Sequence, residues 1–391
     1  MEENIVKIGK GENIQREIFK SSLFYDILKI VVVNKKGEEI YKTYIYPNKF
    51  SFKKNEELIR ERIKIISKRL RIEILEINEK KISKLEKFFY WSIFFTKRFI
   101  EKFFMPSQWI IGYRKKGEKV WNYLKVNKNE MWADPFIVFE DGNYYIFFEE
   151  MSYKENKGHI SVGVLDLEEK KLKGKKIILN KKYHLSYPFI FKEKDKWYMI
   201  PESSANKTID LYEAVEFPYV WKFNKTLLKD IDASDTTILK RDDIWYLFTS
   251  ESVPGITQND ELSIFKSENF FEKDFKKISK IPILSDARCA RMGGDFFKEN
   301  GKLYRPSQDC SKRYGYKLNI NLITCLEDNN YKEEIIKKLE HPKGIHCIAM
   351  HTYNSCEDIE VADFKILNFD ILSLVGNIKI NIKKIFKILL K

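Results

Sequence analysis

Polar residues that could do chemistry recur at matching positions of a repeated pattern in the middle of the chain. Asp134, Tyr187 and Asp235 each precede a tyrosine by eleven positions, and Gly293 keeps this interval to Tyr304. A second set falls fifteen positions after these four markers and consists of Glu149, Glu202, Ser250 and Gln308. Carboxylates gathered around a pocket serve glycosyl chemistry, where one acts as base or nucleophile and another as acid. We therefore predict Asp134, Asp235 and Glu202 as catalytic residues.

The repeat also predicts the fold that would bring these residues together. Each copy has two apolar runs around a polar turn, and neighbouring copies begin about 50 residues apart, a period typical of β-propeller blades. Four clear copies and a shorter closing unit at residues 345–364 predict an all-β, five-bladed propeller. A strand at residues 109–114 would complete the last blade and seal the ring. Because the inner strands of the blades start near the axis, we expect the four markers to surround one pocket.

The segments that converge on this pocket carry basic, amide, carboxylate and aromatic side chains. The residues predicted to bind substrate are Arg288, Arg291, Arg305, Gln308, Tyr187, His184, Trp132, Glu149, Tyr314, His346 and His351. The planar fork of an arginine suits phosphate and carboxylate groups, although each arginine could instead form a salt bridge between blades. Trp132 and Tyr183 precede pocket strands and could stack on a sugar. A buried histidine held by hydrogen bonds is the alternative to a base or a ligand at positions 346 and 351.

Several short segments, taken in order, resemble a known family over about residues 106–365. They read ADPF, KGHISVGV, YHLSYPFIF, WYMIPESS, IDLYEA, FPYVW, DTTI, LYRPSQDC and YG. Together they resemble the N-terminal domain of glucosamine inositolphosphorylceramide transferases and similar bacterial proteins. The run ADPFIV followed by YYIFFEE also resembles the first blade of family 43 glycoside hydrolases and their five-bladed relatives. These resemblances imply a carbohydrate ligand and match Asp134 to the general base of the hydrolases.

Two departures weaken the hydrolase interpretation. The hydrolase pattern implies an aspartate where this chain has Tyr187, and a catalytic glutamate near Ser234 and Asp235. Hydrolysis would then need Glu202 or Asp235 as a substitute. A site with added arginines and fewer carboxylates fits a phosphorylated donor such as a nucleotide sugar better than a neutral glycoside.

The first functional hypothesis is therefore a glycosyltransferase or related glycan-modifying enzyme that builds a cell-surface polysaccharide or glycolipid. The alternatives are a family 43-like glycoside hydrolase with Asp134 as general base and a non-catalytic glycan-binding propeller. We assign no metal ligands. The D-x-D motif at residues 230–232 could hold a divalent metal, as it does in many nucleotide-sugar transferases, but so short a motif often arises by chance. No organic cofactor is expected.

Composition excludes some classes of function. The chain has 391 residues, a formal net charge of +14 and five scattered cysteines without a CxxC pair, so neither a zinc site nor a disulfide framework is indicated. The positive charge could attract an anionic surface, but no zinc-finger, RNP-type or basic-zipper pattern accompanies it. We expect no nucleic-acid partner.

The flanking segments lie outside the repeat. Residues 1–103 are predicted to form a small α+β appendage, with strands at 27–33 and 43–46 and one apolar helix face made by Ile59, Ile63, Ile66 and Leu70. The propeller is predicted over residues 104–365. The aromatic run at 88–111 is interrupted by charges, and we expect it to pack against the propeller rather than lie on a membrane.

The last segment, residues 366–391, is predicted to form a basic amphipathic helix. Such a helix suits an anionic membrane surface, or it could dock on its own domain or on a partner. The sequence begins without the basic and apolar pattern of a signal peptide. We therefore expect a cytoplasmic protein, with peripheral attachment to the inner face of the membrane as a further possibility.

Overall fold

The computed structural model describes residues 4–8, 14–20, 27–34, 36–48, 52–72, 74–75, 83–253, 256–368 and residue 378. Within these ranges the chain forms a small mixed unit, a long helix and five antiparallel sheets. The five sheets are the blades of a β-propeller, so the predicted fold class is confirmed. The predicted C-terminal helix falls outside the described residues, and the exact domain boundaries stay predictions.

The N-terminal unit is a four-stranded sheet covered by helices. Its elements are β1 (Asn4–Ile8), α1 (Ile14–Lys20), β2 (Leu28–Val33), β3 (Glu39–Ile45), α2 (Phe52–Leu70) and β4 (Ile74–Leu75). The sheet order is β3-β2-β1-β4. The helix α2 confirms the predicted helix, because its Ile59 and Ile66 are buried against strand residues such as Ile30 and Ile45.

A 21-residue helix, α3 (Lys84–Phe104), connects this unit to the first propeller strands. Ser83 caps its start, since its Oγ accepts a hydrogen bond from Glu86 N. The strands β5 (Ser107–Lys115) and β6 (Asn122–Tyr123) follow it. Among the described residues, no helix is long and apolar enough to cross a membrane.

The prediction that the aromatic run packs against the propeller is wrong for most of α3. Phe103 is buried, but eight large apolar side chains of the helix are exposed: Leu85, Phe88, Phe89, Trp91, Phe95, Phe99, Ile100 and Phe104. The apolar face of α3 is therefore directed largely towards solvent.

The first four blades follow one another along the chain. Blade one contains β7 (Glu130–Glu140), β8 (Asn143–Ser152), β9 (Lys157–Asp166) and β10 (Lys171–Leu179). Blade two contains β11 (Ser186–Glu193), β12 (Lys196–Ser203), β13 (Thr208–Glu216) and β14 (Val220–Lys229). Blade three contains β15 (Ala233–Arg241), β16 (Ile244–Glu251), β17 (Glu261–Ser267), β18 (Lys276–Lys277) and β19 (Leu284–Ser285). Blade four contains β20 (Phe297–Glu299), β21 (Lys302–Asp309), β22 (Lys317–Glu327) and β23 (Asn330–Leu339).

Blade five joins the two ends of the propeller. It contains β24 (Cys347–Ala349), β25 (Tyr353–Cys356) and β26 (Ile359–Leu367), together with β5 and β6 from the start of the ring. The strand β5 pairs with β26 from Ser107 opposite Leu367 to Lys115 opposite Ile359. This pairing confirms the predicted seal and covers edges that would otherwise be open.

A shared backbone feature sets the direction of three marker residues. Asp134, Tyr187 and Asp235 have φ values of 52°, 42° and 54°, in the left-handed region that costs about 1–2 kcal/mol for a residue with a side chain. The pairing of the first two strands loses its register at each marker, in blades one, two and three. Bulges of this kind redirect a side chain and are common beside active sites.

The N-terminal unit packs on blade three through a buried ion pair. Arg62 Nη2 lies 2.8 Å from Glu261 Oε1, and both side chains are fully buried. Beside them, Tyr46 N donates a hydrogen bond of 2.8 Å to Asp260 Oδ1. Burial raises the pKa of Glu261 to about 7, and the charge of Arg62 only partly offsets this rise. The appendage is therefore attached to the propeller by specific polar contacts.

Candidate active site

Asp134 connects blades one, two and five near the propeller axis. Its Oδ1 accepts a hydrogen bond of 2.6 Å from Thr352 Oγ1, and its Oδ2 accepts one of 3.2 Å from Tyr187 N. Its own N–H donates to Asp363 Oδ2 at 3.0 Å. Burial raises the pKa of Asp134 to about 7, although the nearby positive charge of His351 acts in the opposite direction. Near neutral pH this carboxyl can therefore both accept and release a proton.

His351 is the buried cation beside this carboxyl. Its Nδ1 lies 2.5 Å from Asp363 Oδ2 and 3.6 Å from Asp134 Oδ1. Burial alone would lower the pKa of His351, but the charges of Asp363 and Asp134 outweigh it and raise the pKa to about 9. Its ring stacks on Trp109, with 4.1 Å between the centroids. Because His351 is buried and held on both sides, we assign it a positioning role rather than the predicted contact with substrate.

The same three groups are close enough to be considered as metal ligands. One ligand atom from each of Asp134, His351 and Asp363 lies within 4.8 Å of the others. However, His351 Nδ1 lies 2.5 Å from Asp363 Oδ2, which is shorter than the roughly 3 Å expected between two ligand atoms that each bond one metal ion at about 2.0–2.1 Å. As it stands, the arrangement is an ion-pair network, and we assign no metal to it.

Tyr187 fills the centre of the ring instead of binding a ligand. Its side chain is fully buried. The hydroxyl lies 2.9 Å from Thr237 Oγ1, donates to Gly294 O at 3.2 Å and accepts from Gly294 N at 2.9 Å. The prediction that Tyr187 contacts substrate is therefore wrong, because its hydroxyl is used to join blade two to the following blades.

A second carboxyl, Glu202, lies at the end of β12 and is partly open to solvent. Its side chain is 15% exposed, whereas that of Asp235 is 3% exposed. Glu202 Oε2 accepts a hydrogen bond of 3.2 Å from Asp235 N and lies 3.8 Å from Arg291 Nη2. Burial, followed by the negative charge of Asp235, raises the pKa of Glu202 well above its usual value, and Arg291 only opposes this. Glu202 is therefore a partly accessible carboxyl that holds its proton more tightly than an ordinary glutamate does.

Asp235 is held as a counterion. Arg291 Nε donates to Asp235 Oδ2 at 2.6 Å, and Gln308 Nε2 donates to the same oxygen at 2.7 Å. This geometry favours Glu202 over Asp235 as the acid. Gln308 is fully buried and also donates to Met292 O. It orients Asp235, which contradicts the prediction that Gln308 binds substrate.

The three predicted arginines all have carboxylate partners within the chain. Arg305 Nη2 lies 2.6 Å from Glu333 Oε1 and its side chain is fully buried, so the prediction that it binds a ligand is wrong. Arg288 Nη2 lies 2.7 Å from Asp286 Oδ2, but 39% of its side chain is exposed. Arg291 is almost completely buried against Asp235. Arg288 is thus the arginine of the three that remains accessible.

Glu149 and His184 form a second polar pair, between blades one and two. His184 Nε2 lies 3.1 Å from Glu149 Oε1, and the imidazole is partly exposed. Burial lowers the pKa of His184, but its contact with Glu149 outweighs this and raises the pKa overall. Gly158 N donates to His184 Nδ1 at 2.9 Å, and a Cβ at position 158 would lie 2.7 Å from Glu149 Oε1 and 2.5 Å from Leu185 O. Only glycine fits there.

Tyr314 is the aromatic ring best placed to meet a ligand. It is 37% exposed. The guanidinium of Arg291 lies 4.9 Å from the centre of its ring, and the ring meets His351 edge-on at 5.1 Å. Sugar rings commonly pack on exposed aromatic faces beside polar groups, and Tyr314 provides such a face next to the Asp235 pair.

Two other predicted ligand contacts are placed elsewhere. Trp132 is buried and packs on Phe148 with 4.9 Å between the ring centroids. It belongs to the core of blade one, so the prediction that it stacks on a sugar is wrong. His346 is exposed just before β24, where its carbonyl accepts from Leu367 N at the edge of blade five.

A cavity that no sequence pattern predicted lies between the N-terminal unit and the propeller. Its volume is about 800 Å³, and its walls are formed by Asn48, Lys54, Glu57, Leu58, Ser204, Asp232, Ser252, Val253, Ile256, Thr257, Gln258, Asn259 and Arg291. Arg291 belongs both to this cavity and to the Asp235 cluster. The cavity was missed because residues 1–103 were treated as an appendage, and no motif marks the α2 residues that line it.

Asp232 of the D-x-D motif lines the same cavity, but its carboxylate is hydrogen-bonded to neighbouring side chains. Asp232 Oδ1 accepts hydrogen bonds from Ser204 Oγ at 2.6 Å and from Gln258 Nε2 at 2.5 Å. Asp230 is exposed. One of the two carboxylates is therefore already used to join the loops of blades two and three.

The fold and the site define a five-bladed propeller whose axial site contains carboxyls from different blades. Residues 124–354, more than half of the chain, match the family model described as "Glucosamine inositolphosphorylceramide transferase 1, N-terminal". The chain belongs to this family.

The similar proteins are much longer than this chain. Glucosamine inositolphosphorylceramide transferase 1 of Oryza sativa subsp. japonica is 35% identical over 204 residues, which cover 51% of this chain and 27% of the rice protein. The protein of the same name from Arabidopsis thaliana is 34% identical over 204 residues, covering 51% of this chain and 26% of the plant protein. The chain thus matches about a quarter of these relatives.

Solved structures with a detectable likeness are glycoside hydrolases. The catalytic domain of a GH62 α-L-arabinofuranosidase from Coprinopsis cinerea aligns with a TM-score of 0.45 and 12% identity, over 57% of this chain and 76% of that chain. The family 117 glycoside hydrolase Zg3597 from Zobellia galactanivorans aligns with a TM-score of 0.43 and 10% identity, over 68% and 91% of the two chains.

Proposed function

We propose that this protein is a carbohydrate-active enzyme that transfers a glycosyl group from a phosphorylated donor to the hydroxyl group of a glycolipid or polysaccharide. The observation that carries the proposal is the pair of carboxyls with raised pKa, Asp134 and Glu202, at one axial site. Family membership supports the carbohydrate class, and the names of the plant relatives point to glucosamine and an inositolphosphorylceramide.

The two carboxyls are suited to different steps. Asp134, with a pKa of about 7, can accept the proton of an acceptor hydroxyl group. As it does so, the oxygen of that hydroxyl group forms a bond to the anomeric carbon of the donor sugar. In its protonated form, which burial favours, Glu202 can donate a hydrogen bond to the leaving oxygen as the bond between that oxygen and the anomeric carbon breaks. In this form it does not repel a phosphate as an ionised carboxylate would.

The cavity beside Arg291 provides room for the remainder of the substrate. Its walls offer hydroxyl, amide and aliphatic groups from two blades and α2, the mixture that ligand pockets usually present. Lys54 is an exposed cation in the cavity wall itself, and Arg288, three residues before Arg291, is also accessible. We place the phosphorylated part of the donor towards Arg288 and the sugar between Tyr314 and Glu202.

The test is a transfer assay with the full chain. Donors would be UDP-linked glucose, glucosamine and N-acetylglucosamine, and acceptors would be inositol phospholipids, with products resolved by mass spectrometry. Asp134→Asn and Glu202→Gln are each expected to lower the rate by about 100-fold to 10,000-fold, the usual contribution of a general acid or base. The control is Glu193→Gln. It removes a carboxyl that pairs with Lys240 at the end of β11 away from Tyr187 and the axial site, and it should keep the wild-type rate. Full transfer by both site variants would contradict the proposal.

Hydrolysis is the second candidate, because a protonated carboxyl and a nearby base are also what a glycosidase requires. In that case water takes the place of the acceptor. Aryl glycosides would release free sugar in a reaction that needs both Glu202 and Asp134, and transfer to lipid would not be detected. The two candidates therefore give different products from the same pair of residues.

A further inference from the structure

The exposed apolar face of α3 is the largest feature of the described molecule that the proposed function does not use. The eight exposed apolar side chains of α3 have between 45% and 79% of their surface open to solvent. Four of them, Leu85, Phe88, Phe95 and Phe99, are separated by three, seven and four residues, the steps of one helix face. Apolar surface of this kind on a soluble chain marks a contact with a partner or a membrane.

The two hydroxyl-bearing residues on this face already have hydrogen-bond acceptors within the helix. Ser92 and Thr96 lie between the phenylalanines. Ser92 Oγ donates to Phe88 O at 2.9 Å, and Thr96 Oγ1 donates to Ser92 O at 2.9 Å. Both hydroxyls therefore bond to the backbone of their own helix. They can enter an apolar phase without leaving a donor unsatisfied, which would otherwise cost several kcal/mol.

The net positive charge of α3 favours a membrane with anionic lipids over another protein surface. The helix contains five Lys or Arg residues and only two Glu residues, a net charge of +3 in 21 residues, and the whole chain carries +14. Basic residues beside a broad aromatic face are the composition of helices that lie in the headgroup region of anionic lipids. A second protein copy would bring an equal positive charge to the contact, which disfavours self-association.

We propose that α3 lies in the plane of an anionic phospholipid membrane, with its aromatic face inserted at the boundary between headgroups and acyl chains. The helix is about 30 Å long, from a rise of about 1.5 Å per residue, and no described helix is suited to span a bilayer. This surface is independent of the proposed function. If both hold, the propeller would work beside the lipid that carries its acceptor.

The first test is flotation of the full chain with vesicles of phosphatidylcholine alone or mixed with phosphatidylglycerol. We expect binding to the mixed vesicles that falls as salt is added. The triple variant Phe88→Gln, Phe95→Gln, Phe99→Gln should lose at least about tenfold in partitioning. A matched control replaces three exposed apolar residues of the propeller, Ile177, Val215 and Ile336, with glutamine and should bind as the wild type does. This comparison separates α3 from the basic C-terminal residues, which all three proteins retain.

A second measurement does not depend on how the triple variant folds. Trp91 is one of seven tryptophans and lies exposed on α3. Lipids brominated on their acyl chains should quench part of the fluorescence of the bound wild type, and Trp91→Phe should remove that part while still binding vesicles. The proposal is overturned if the wild type does not bind anionic vesicles, if the triple variant binds equally well, or if bromolipids do not quench Trp91. It is also overturned if the face instead mediates a lipid-independent dimer that the triple variant abolishes.

Discussion

Burial is the largest cause of the raised pKa of both Asp134 and Glu202. At Asp134 the neighbouring His351 cation opposes this rise, and backbone and hydroxyl groups from other blades donate hydrogen bonds to the carboxyl. At Glu202 the negative charge of Asp235 adds to the effect of burial. Perturbed carboxyls of this kind are concentrated at functional sites. The two groups are thus prepared for separate proton-transfer roles by their surroundings.

The His351 ion pair makes a prediction about stability and pH. The pKa of His351 is raised from its usual 6.5 to about 9 in the folded protein, so its contribution to stability is complete below about pH 6.5 and is lost as the pH rises through about 9. The loss is at most about 1.4 kcal/mol per pH unit. Urea unfolding of wild type and His351→Gln should therefore give a difference in free energy that shrinks over this range.

The control is Val120→Gln, which changes an exposed side chain without adding or removing a titratable group. This variant should reproduce the wild-type dependence on pH. A constant difference between the wild type and His351→Gln from pH 6 to 9 would show that the imidazole does not carry this charge in the folded state.

At the residue scale, the sequence predicted positions better than roles. Asp134 and Asp235 occupy the same marker position of the repeat and Glu202 falls fifteen positions after a marker, so the repeat predicted that they lie close together. Arg291 and His351, from the segments predicted to converge on the pocket, also contact this group. Their pairing could not be predicted, since the partners are distant in sequence. Arg291 and Asp235 are 56 residues apart.

The elements of the propeller were predictable because each blade repeats one pattern. The bulge at each marker was not, since a tyrosine or aspartate with positive φ is disfavoured locally and is kept only by the surrounding contacts. The orientation of α3 was also missed. Its sequence gives the apolar face, but whether that face meets protein or solvent is decided by the placement of the N-terminal unit.

The buried contact between α2 and β17 makes a prediction about the free energy of unfolding. Arg62→Ala would leave Glu261 as an unpaired buried carboxyl, and removing one partner of a buried pair typically costs about 3–5 kcal/mol. Lys68→Ala, an exposed change on the same helix, should cost much less. Both are measured from the free energy of unfolding in urea. Equal values for the two variants would mean that the Arg62–Glu261 pair does not hold the N-terminal unit in place.

The whole molecule combines three surfaces that belong to different parts of the chain. The axial site comes from five blades, the adjoining cavity needs α2, and the apolar face of α3 lies between the two units. The closing strand β5 comes directly after α3, so the helix is attached to the ring at its seal.

The central claim is that one axial site holds two carboxyls, Asp134 and Glu202, that keep their protons to a higher pH than ordinary surface carboxyls do. The most direct measurement is a carbon-13 NMR titration of carboxyl-labelled Asp and Glu, with the two signals assigned through Asp134→Asn and Glu202→Gln. We predict that Asp134 titrates near 7 and that Glu202 titrates well above the usual glutamate value. Titration of both groups with the ordinary surface carboxyls, near 4, would contradict the claim.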